Sequence, residues 1–259
     1  MFRLDGKFAL VTGGTRGLGR AISLALARLG ATVAMNYRRD EASALLTGDE
    51  VRAIAPKSIL LKADLEDDAQ VRAMVGEAAR AFGRIDILIA NAAATAFKPL
   101  LDSKTHNLAR TFNLSVGGFL AAVQEASKVM GDGGRILMIS GIDSARYLPG
   151  HGVLGAAKSA LESMVRDFAF ELGPRGITVN GMNVGYMDTD SAHIYARYVG
   201  VTFEEFSRRA AERSALRRLP ALEEIAAVAC FICSPAASYL TAQTVLVDGG
   251  LLLSFPLGS

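Results

Sequence analysis

Residues 9–30, ALVTGGTRGLGRAISLALARLG, constrain this chain more than any other stretch. A short apolar, β-favouring run passes through a cluster of glycines into a helical pattern, and Gly30 follows as a left-handed cap. That order sets backbone N–H groups at a helix N-terminus, where unpaired donors and the macrodipole favour an anion. Gly13, Gly17 and Gly19 allow a tight turn and a close approach to a pyrophosphate. A glycine trio alone is a weak signal, but in a strand–turn–helix at the first βα unit it is a specific one. The residues expected to face a dinucleotide there are Gly13, Thr15, Arg16, Gly17, Leu18 and Gly19.

The same alternation continues along the chain. Strands are expected at 8–12, 32–36, 58–62, 85–90, 135–140, 177–183 and 244–247, and helices at 18–29, 41–54, 67–82, 105–130, 152–173 and 221–233. Short strands that are apolar on both faces and separated by helices belong to a parallel sheet covered on both sides. Right-handed crossovers then give an α/β doubly wound (Rossmann) fold, a seven-stranded parallel sheet with ligands outside the carboxyl ends of its strands. The 259 residues, 51% apolar and 21% charged, fit a single domain over 1–259.

Composition narrows the partners. No apolar run is long enough to span a bilayer, and the N-terminus leads straight into a strand, so neither a membrane segment nor a signal peptide is expected. A net charge of +2 and no Lys/Arg cluster interleaved with aromatics give no footprint for nucleic acid. Cys230 and Cys233 form a C-x-x-C, readable as a redox or metal pair or as the buried side of an amphipathic helix. With no second pair and no nearby histidine, the helix reading and no metal are expected. These features together imply a cytoplasmic location.

Charge selects the dinucleotide. An NAD site wants a carboxylate at the end of the second strand to hold the ribose 2′-hydroxyl. That strand ends VAMNYRRD, with Asn36 where the acid would stand and Arg38 and Arg39 following. Arg16 in the glycine turn faces the same spot. This guanidinium cluster favours a 2′-phosphate, so NADP(H) is expected, with one of Arg38 and Arg39 left as an ordinary solvated charge and Asp40 facing solvent.

Over essentially its whole length the chain resembles the short-chain dehydrogenase/reductase family. TGGTRGLG is similar to the family's TGxxxGxG, NAAA at residues 91–94 to its NNAG, and NGMNVGYMDTD to its NxxxPGxxxT, with Val184 in place of proline. TAQTVLVDGG resembles its last strand. The resemblance implies that Asp64, with Leu65 beside it, contacts adenine, that Asn91 ends the fourth strand, and that Gly185, Met187 and Thr189 adjoin the carboxamide. It also implies that Asn113 holds a proton-relay water.

The resemblance breaks at the catalytic centre. Positions i and i+4 share a helix face, so a tyrosine four residues before a lysine makes a proton-transfer pair. The lysine is present as Lys158, but Leu154 stands at the tyrosine position and Gly141 at that of the substrate-orienting serine, thirteen residues earlier. Neither side chain hydrogen-bonds. Lys158 keeps the family's other duty, holding the ribose hydroxyls. Enoyl-carrier-protein reductases on this fold place their tyrosine seven residues before lysine, and His151 stands there. His151 is therefore expected to face the substrate oxygen as an acid, or else to sit at the helix end in solvent. Ser140, Ser144, Tyr147 and Tyr186 are lesser candidates, the tyrosines being read equally well as packing aromatics. A missing general acid costs about 10²–10⁴-fold, which leaves a slower or differently assisted reductase rather than a dead one.

Residues 190–219 lie where the family keeps its substrate lid. Tyr195, Tyr198, Phe203 and Phe206 among arginines suit a sizeable apolar substrate with an acidic handle, or form a helical hairpin with packed aromatics and solvated arginines. The implied activity is NADPH-dependent reduction of a carbonyl or conjugated alkene in an acyl-thioester or polyketide-like small molecule. The alternative is a cofactor-binding member that has lost redox chemistry. A homotetramer is implied, joined through the helices near 105–130 and 152–173 and the C-terminal strand.

Overall fold

The structure, a computed structural model, describes residues 3–93 and 96–253. The first half runs β1 (Phe8–Val11), α1 (Gly17–Arg28), β2 (Thr32–Tyr37), α2 (Glu41–Ile54), β3 (Ile59–Lys62), α3 (Asp68–Phe82) and β4 (Ile87–Ala90). It continues with α4 (Thr105–Phe112), α5 (Gly118–Val129), β5 (Arg135–Gly141), α6 (Gly152–Leu172) and β6 (Thr178–Val184). The chain then forms α7 (Asp190–Tyr198), α8 (Phe203–Arg213), α9 (Leu222–Ile232) and β7 (Thr244–Val247). The seven strands pair in parallel in the order β3-β2-β1-β4-β5-β6-β7. Strand order reverses direction between β1 and β4, where a crevice opens at the carboxyl ends.

Period-two alternation divides the core. Val11, Met35, Ile89 and Leu137 face α1 and α9, meeting Ile22, Leu26, Ile225 and Ala229. Their neighbours Leu10, Ala34, Leu88 and Met138 face the other layer, against Val75, Phe119, Leu161 and Val165. Both sides of β1, β2, β4, β5 and β6 are thus buried, which explains why these strands read as apolar runs without alternation in polarity.

One element departs from expectation. The single helix expected over 105–130 is interrupted by a π segment at Asn113–Gly117. The Gly117–Gly118 pair sits at its end, and a Cβ on Gly118 would press to 3.0 Å from the Leu65 carbonyl, so the chain shifts register where it passes the β3–α3 loop. Residues 190–219 contain α7 and α8, capped by Thr189 and Thr202, whose hydroxyls accept from the Ala192 and Glu205 N–H groups. Cys230 on α9 and Cys233 at its C-cap are free and buried, as the helix reading expects, and burial pushes the Cys230 thiol up to about 12. Among the described residues no group of His, Cys, Asp and Glu is placed to hold a metal, and no helix is long and apolar enough to cross a membrane.

Candidate active site

A cleft of about 600 Å³ opens at the carboxyl ends of β1, β2, β4, β5 and β6. Its floor is the glycine turn. Gly13 and Gly17 adopt φ of +59° and +50°, and a Cβ on Gly19 would collide with the Gly13 carbonyl, so the turn is built for bare backbone. Two amides hold it there. Asn91 Nδ2 donates to the carbonyls of Thr12 and Gly13 at 3.1 and 3.2 Å, tying β4 to the turn. Asn36 Oδ1 accepts from the Gly13 N–H at 3.2 Å, while its Nδ2 donates to the Leu61 and Ala63 carbonyls. Asn36, expected at the cofactor site, lines the cleft, and its buried side chain clamps β2, β3 and the turn together. An anion-ready helix start, glycines that admit a pyrophosphate and a cleft of this size fit a dinucleotide.

The arginines divide. Arg38 Nη1 reaches Glu66 at 2.8 Å and Asp64 at 3.3 Å, so its guanidinium already has carboxylate partners. Asp64, which the resemblance sets at the adenine, is held by that pair, and Leu65 beside it lines the cleft. Arg39 is exposed on the cleft rim, and its guanidinium makes no hydrogen bond or ion pair with a described residue. Arg16 stands opposite, 3.7 Å from Asp190. Asp40, expected in solvent, caps α2 by accepting from the Ser43 N–H. Thr15, Leu18, Gly185, Met187 and Thr189 line the cleft, and Thr189 lies above the turn, 3.5 Å from where a Gly17 Cβ would be.

The catalytic end is built by the start of α6. Lys158 is fully buried and its Nζ donates to the Ile139 carbonyl at 2.6 Å; burial holds its pKa below the ordinary 10.5, with Asp143 and Glu162 opposing that shift. Leu154 lines the cleft one turn earlier. His151 caps α6 without a side-chain bond to the helix, and its ring turns inward. Its Nδ1 lies 3.2 Å from Asp143 Oδ2, and its Nε2 is buried with no partner. Phe97 stacks on the ring at 4.9 Å and Tyr195 meets it edge-on at 4.5 Å. The glycines on either side make this possible: a Cβ on Gly150 would lie 2.5 Å from the Tyr198 ring, and one on Gly152 2.5 Å from Leu100.

The other expected candidates are exposed, already paired or poor acids, although Ser140 and Tyr186 line the cleft. Tyr147 is 87% exposed and off the cleft wall. Asn113 opens the π segment, is exposed and does not line the cleft. The Ser140 and Ser144 hydroxyls both donate to Glu162 Oε1, the latter at 2.7 Å, and so are not free to replace a substrate-orienting serine. Tyr186 lines the cleft, but burial pushes its pKa up to about 12, which makes it a weak acid. In the expected lid, Tyr195 and Phe206 pack with Phe97, Tyr186 and Phe203, while Arg208 and Arg209 pair with Glu205. Phe97, Tyr186 and Tyr195 thus line the cleft with Phe203 and Phe206 packed behind them, and these arginines already have acidic partners. Ala94 of the NAAA stretch lies outside the described residues.

Sequence reading missed Asp143, which shares a turn with Ser144 and faces the cleft instead. The signal was available in Gly141: where the family carries a side chain, a nearby carboxylate takes the room.

Comparison with known proteins agrees with this architecture. A family profile described as enoyl-(acyl carrier protein) reductase matches residues 13–252. The chain is 37% identical over 248 residues to 1-cyclohexenylcarbonyl-CoA reductase of Streptomyces collinus, covering 96% of this chain and 88% of that protein. It is 35% identical to versicolorin reductase 1 of Dothistroma septosporum, covering 96% and 97% of the two chains. A short-chain dehydrogenase from Burkholderia cenocepacia in complex with NADP superposes with a TM-score of 0.88 at 33% identity, covering 96% of this chain and 99% of that one. With strand order, glycine turn and profile in agreement, the chain belongs to the short-chain dehydrogenase/reductase family of oxidoreductases, on its enoyl-reductase-like side.

Proposed function

We propose that this protein is an NADPH-dependent reductase of a conjugated alkene or carbonyl in an acyl-thioester or polyketide-like substrate, with His151 facing the substrate oxygen. The observation that carries the reading is the buried, unpartnered Nε2 of His151 in a cleft otherwise lacking the family's serine and tyrosine. NADPH, when bound, supplies the hydride equivalent. The residues of the chain do the rest. The glycine turn cradles the pyrophosphate, Arg16 and Arg39 pair with the 2′-phosphate, and Lys158 holds the ribose. Thr189 and the backbone around Gly185 and Met187 orient the nicotinamide. Phe97, Tyr186 and Tyr195 exclude water from the reacting centre and pack on an apolar or cyclic acyl group. Protonated His151 stabilises the developing enolate or alkoxide oxygen and delivers the proton.

The names of the Streptomyces and Dothistroma relatives favour an unsaturated cyclic acyl thioester or an aromatic polyketide. NADPH consumption is the test, measured against enoyl thioesters (including cyclohexenyl ones), ketoacyl thioesters and hydroxylated polycyclic ketones. Oxidation of NADPH by the enoyl group is the expected outcome, and His151→Phe should lower that rate by about 10²-fold or more with NADPH affinity intact. Tight cofactor binding with no turnover of any class would favour the second reading, a binding protein or non-redox catalyst on the same fold. That reading draws on the same absence of serine and tyrosine.

A further inference from the structure

We propose that Asp143 is the positioning residue for His151, and that Gly141 exists to make room for it. The inference rests on His151 as the group that faces the substrate. A Cβ built on Gly141 falls 2.6 Å from Asp143 Oδ1, closer than real Cβ contacts come, so any side chain at 141 and this carboxylate position exclude each other. The glycine is then the complement of a new acidic residue, not merely a lost serine.

The carboxylate is fixed on every side. Its side chain is 6% exposed, and its backbone lies in the short turn Ile142–Ser144 that follows β5. A Cβ on Gly155 would collide with the Asp143 carbonyl, so α6 packs directly onto that turn. The distance between Asp143 and His151 is thereby set by backbone packing.

The consequence for the ring follows from donor and acceptor counting. An ionised carboxylate only accepts, so the ring atom facing it, Nδ1, carries a proton. The exchangeable proton is then on Nε2, the atom that is buried and unpartnered. When Nε2 gives up its proton, Nδ1 remains bonded to Asp143 and the ring is left neutral in a single tautomer. Phe97 on the ring face and Tyr195 at its edge oppose any rotation that would break the pair. The Asp143–His151 pair therefore does with two residues on one turn and one helix cap what a carboxylate does for a catalytic imidazole elsewhere.

The test reads the tautomer directly. The full-length protein is labelled with ¹⁵N-histidine, and the His151 signal is identified among the three histidines by its loss in His151→Phe. In the neutral form Nδ1 should give the shift of a protonated nitrogen and Nε2 that of an unprotonated one. Asp143→Asn, nearly isosteric, should mix or reverse the two, because its amide can donate to Nδ1. On the substrate found by NADPH consumption, the same variant should lower kcat by about 10²-fold with KM for NADPH unchanged. Gly141→Ser should reproduce that kcat loss by displacing the carboxylate. A wild-type ring protonated on Nε2 alone, unchanged in Asp143→Asn, would overturn the proposal, as would full turnover in Asp143→Asn. A tautomer that shifts as stated with no substrate turned over supports the Asp143 pair and instead sinks the reductase reading.

Discussion

On the proposed function, Lys158 couples cofactor binding to stability. The amine is buried and its pKa is held below 10.5 by loss of solvent. Between that lowered value and 10.5 the unfolded chain binds a proton that the folded chain does not, so this residue's contribution to stability rises with pH there. Below the folded pKa the charge is buried at a cost, relieved only as pH climbs toward the unfolded value. Lys158→Met removes the titration. Denaturant melts should show the variant gaining most over wild type near neutral pH, with the gain shrinking as pH approaches 10, while cofactor affinity falls at every pH. A pH-independent difference would show that the amine does not titrate between the two states. At the 2′-phosphate, Arg16→Ala and Arg39→Ala should each reduce the preference for NADPH over NADH by about tenfold, the size of one charge-assisted contact. Arg38→Ala should act mainly on stability, because its partners are Glu66 and Asp64. Titration calorimetry with both dinucleotides separates the three.

At the scale of elements, the start of α6 is the most constrained piece. Gly150 has φ of +74° and stands against Tyr198, so Gly150→Ala adds both a left-handed strain and a clash with that ring. It should cost about 1–2 kcal/mol in denaturant unfolding and lower kcat more than it raises KM for NADPH. The glycine turn, the parallel sheet and the helix layers were legible because glycine spacing and apolar runs are local signals. The site beyond them was less so. Leu154 and Gly141 announced a missing acid and a missing serine, but where Asp143, Ser140 and Ser144 point depends on how α6 packs on the turn after β5, a tertiary contact that periodicity does not encode. Arg38 illustrates the same limit: VAMNYRRD shows the charges, and only the fold brings Glu66 and Asp64 to one of them. The break at Asn113–Gly117 was signalled by paired glycines, which a purely periodic reading passes over.

Across the whole molecule, α4, α5 and α6 leave Leu108, Leu120 and Phe170 uncovered, the last 82% exposed, and β7 leaves Leu246 partly exposed. We infer self-association through these faces. Sedimentation velocity should give a tetramer for the wild type, and Phe170→Glu should shift it toward smaller species; an unchanged monomer in both would refute the assembly. A final consequence follows from Thr189. It caps the helix whose Tyr195 covers His151, yet it stands over Gly17 in the phosphate turn. On the proposed function, the cover over His151 rests on the turn that would hold the dinucleotide, so the first ligand to arrive would set the shape of the room offered to the second. In steady-state terms this is a compulsory order, with the dinucleotide on first and off last. NADP⁺ should therefore inhibit competitively against NADPH and the reduced acyl product noncompetitively, whereas symmetrical competitive patterns would mean that this contact transmits nothing.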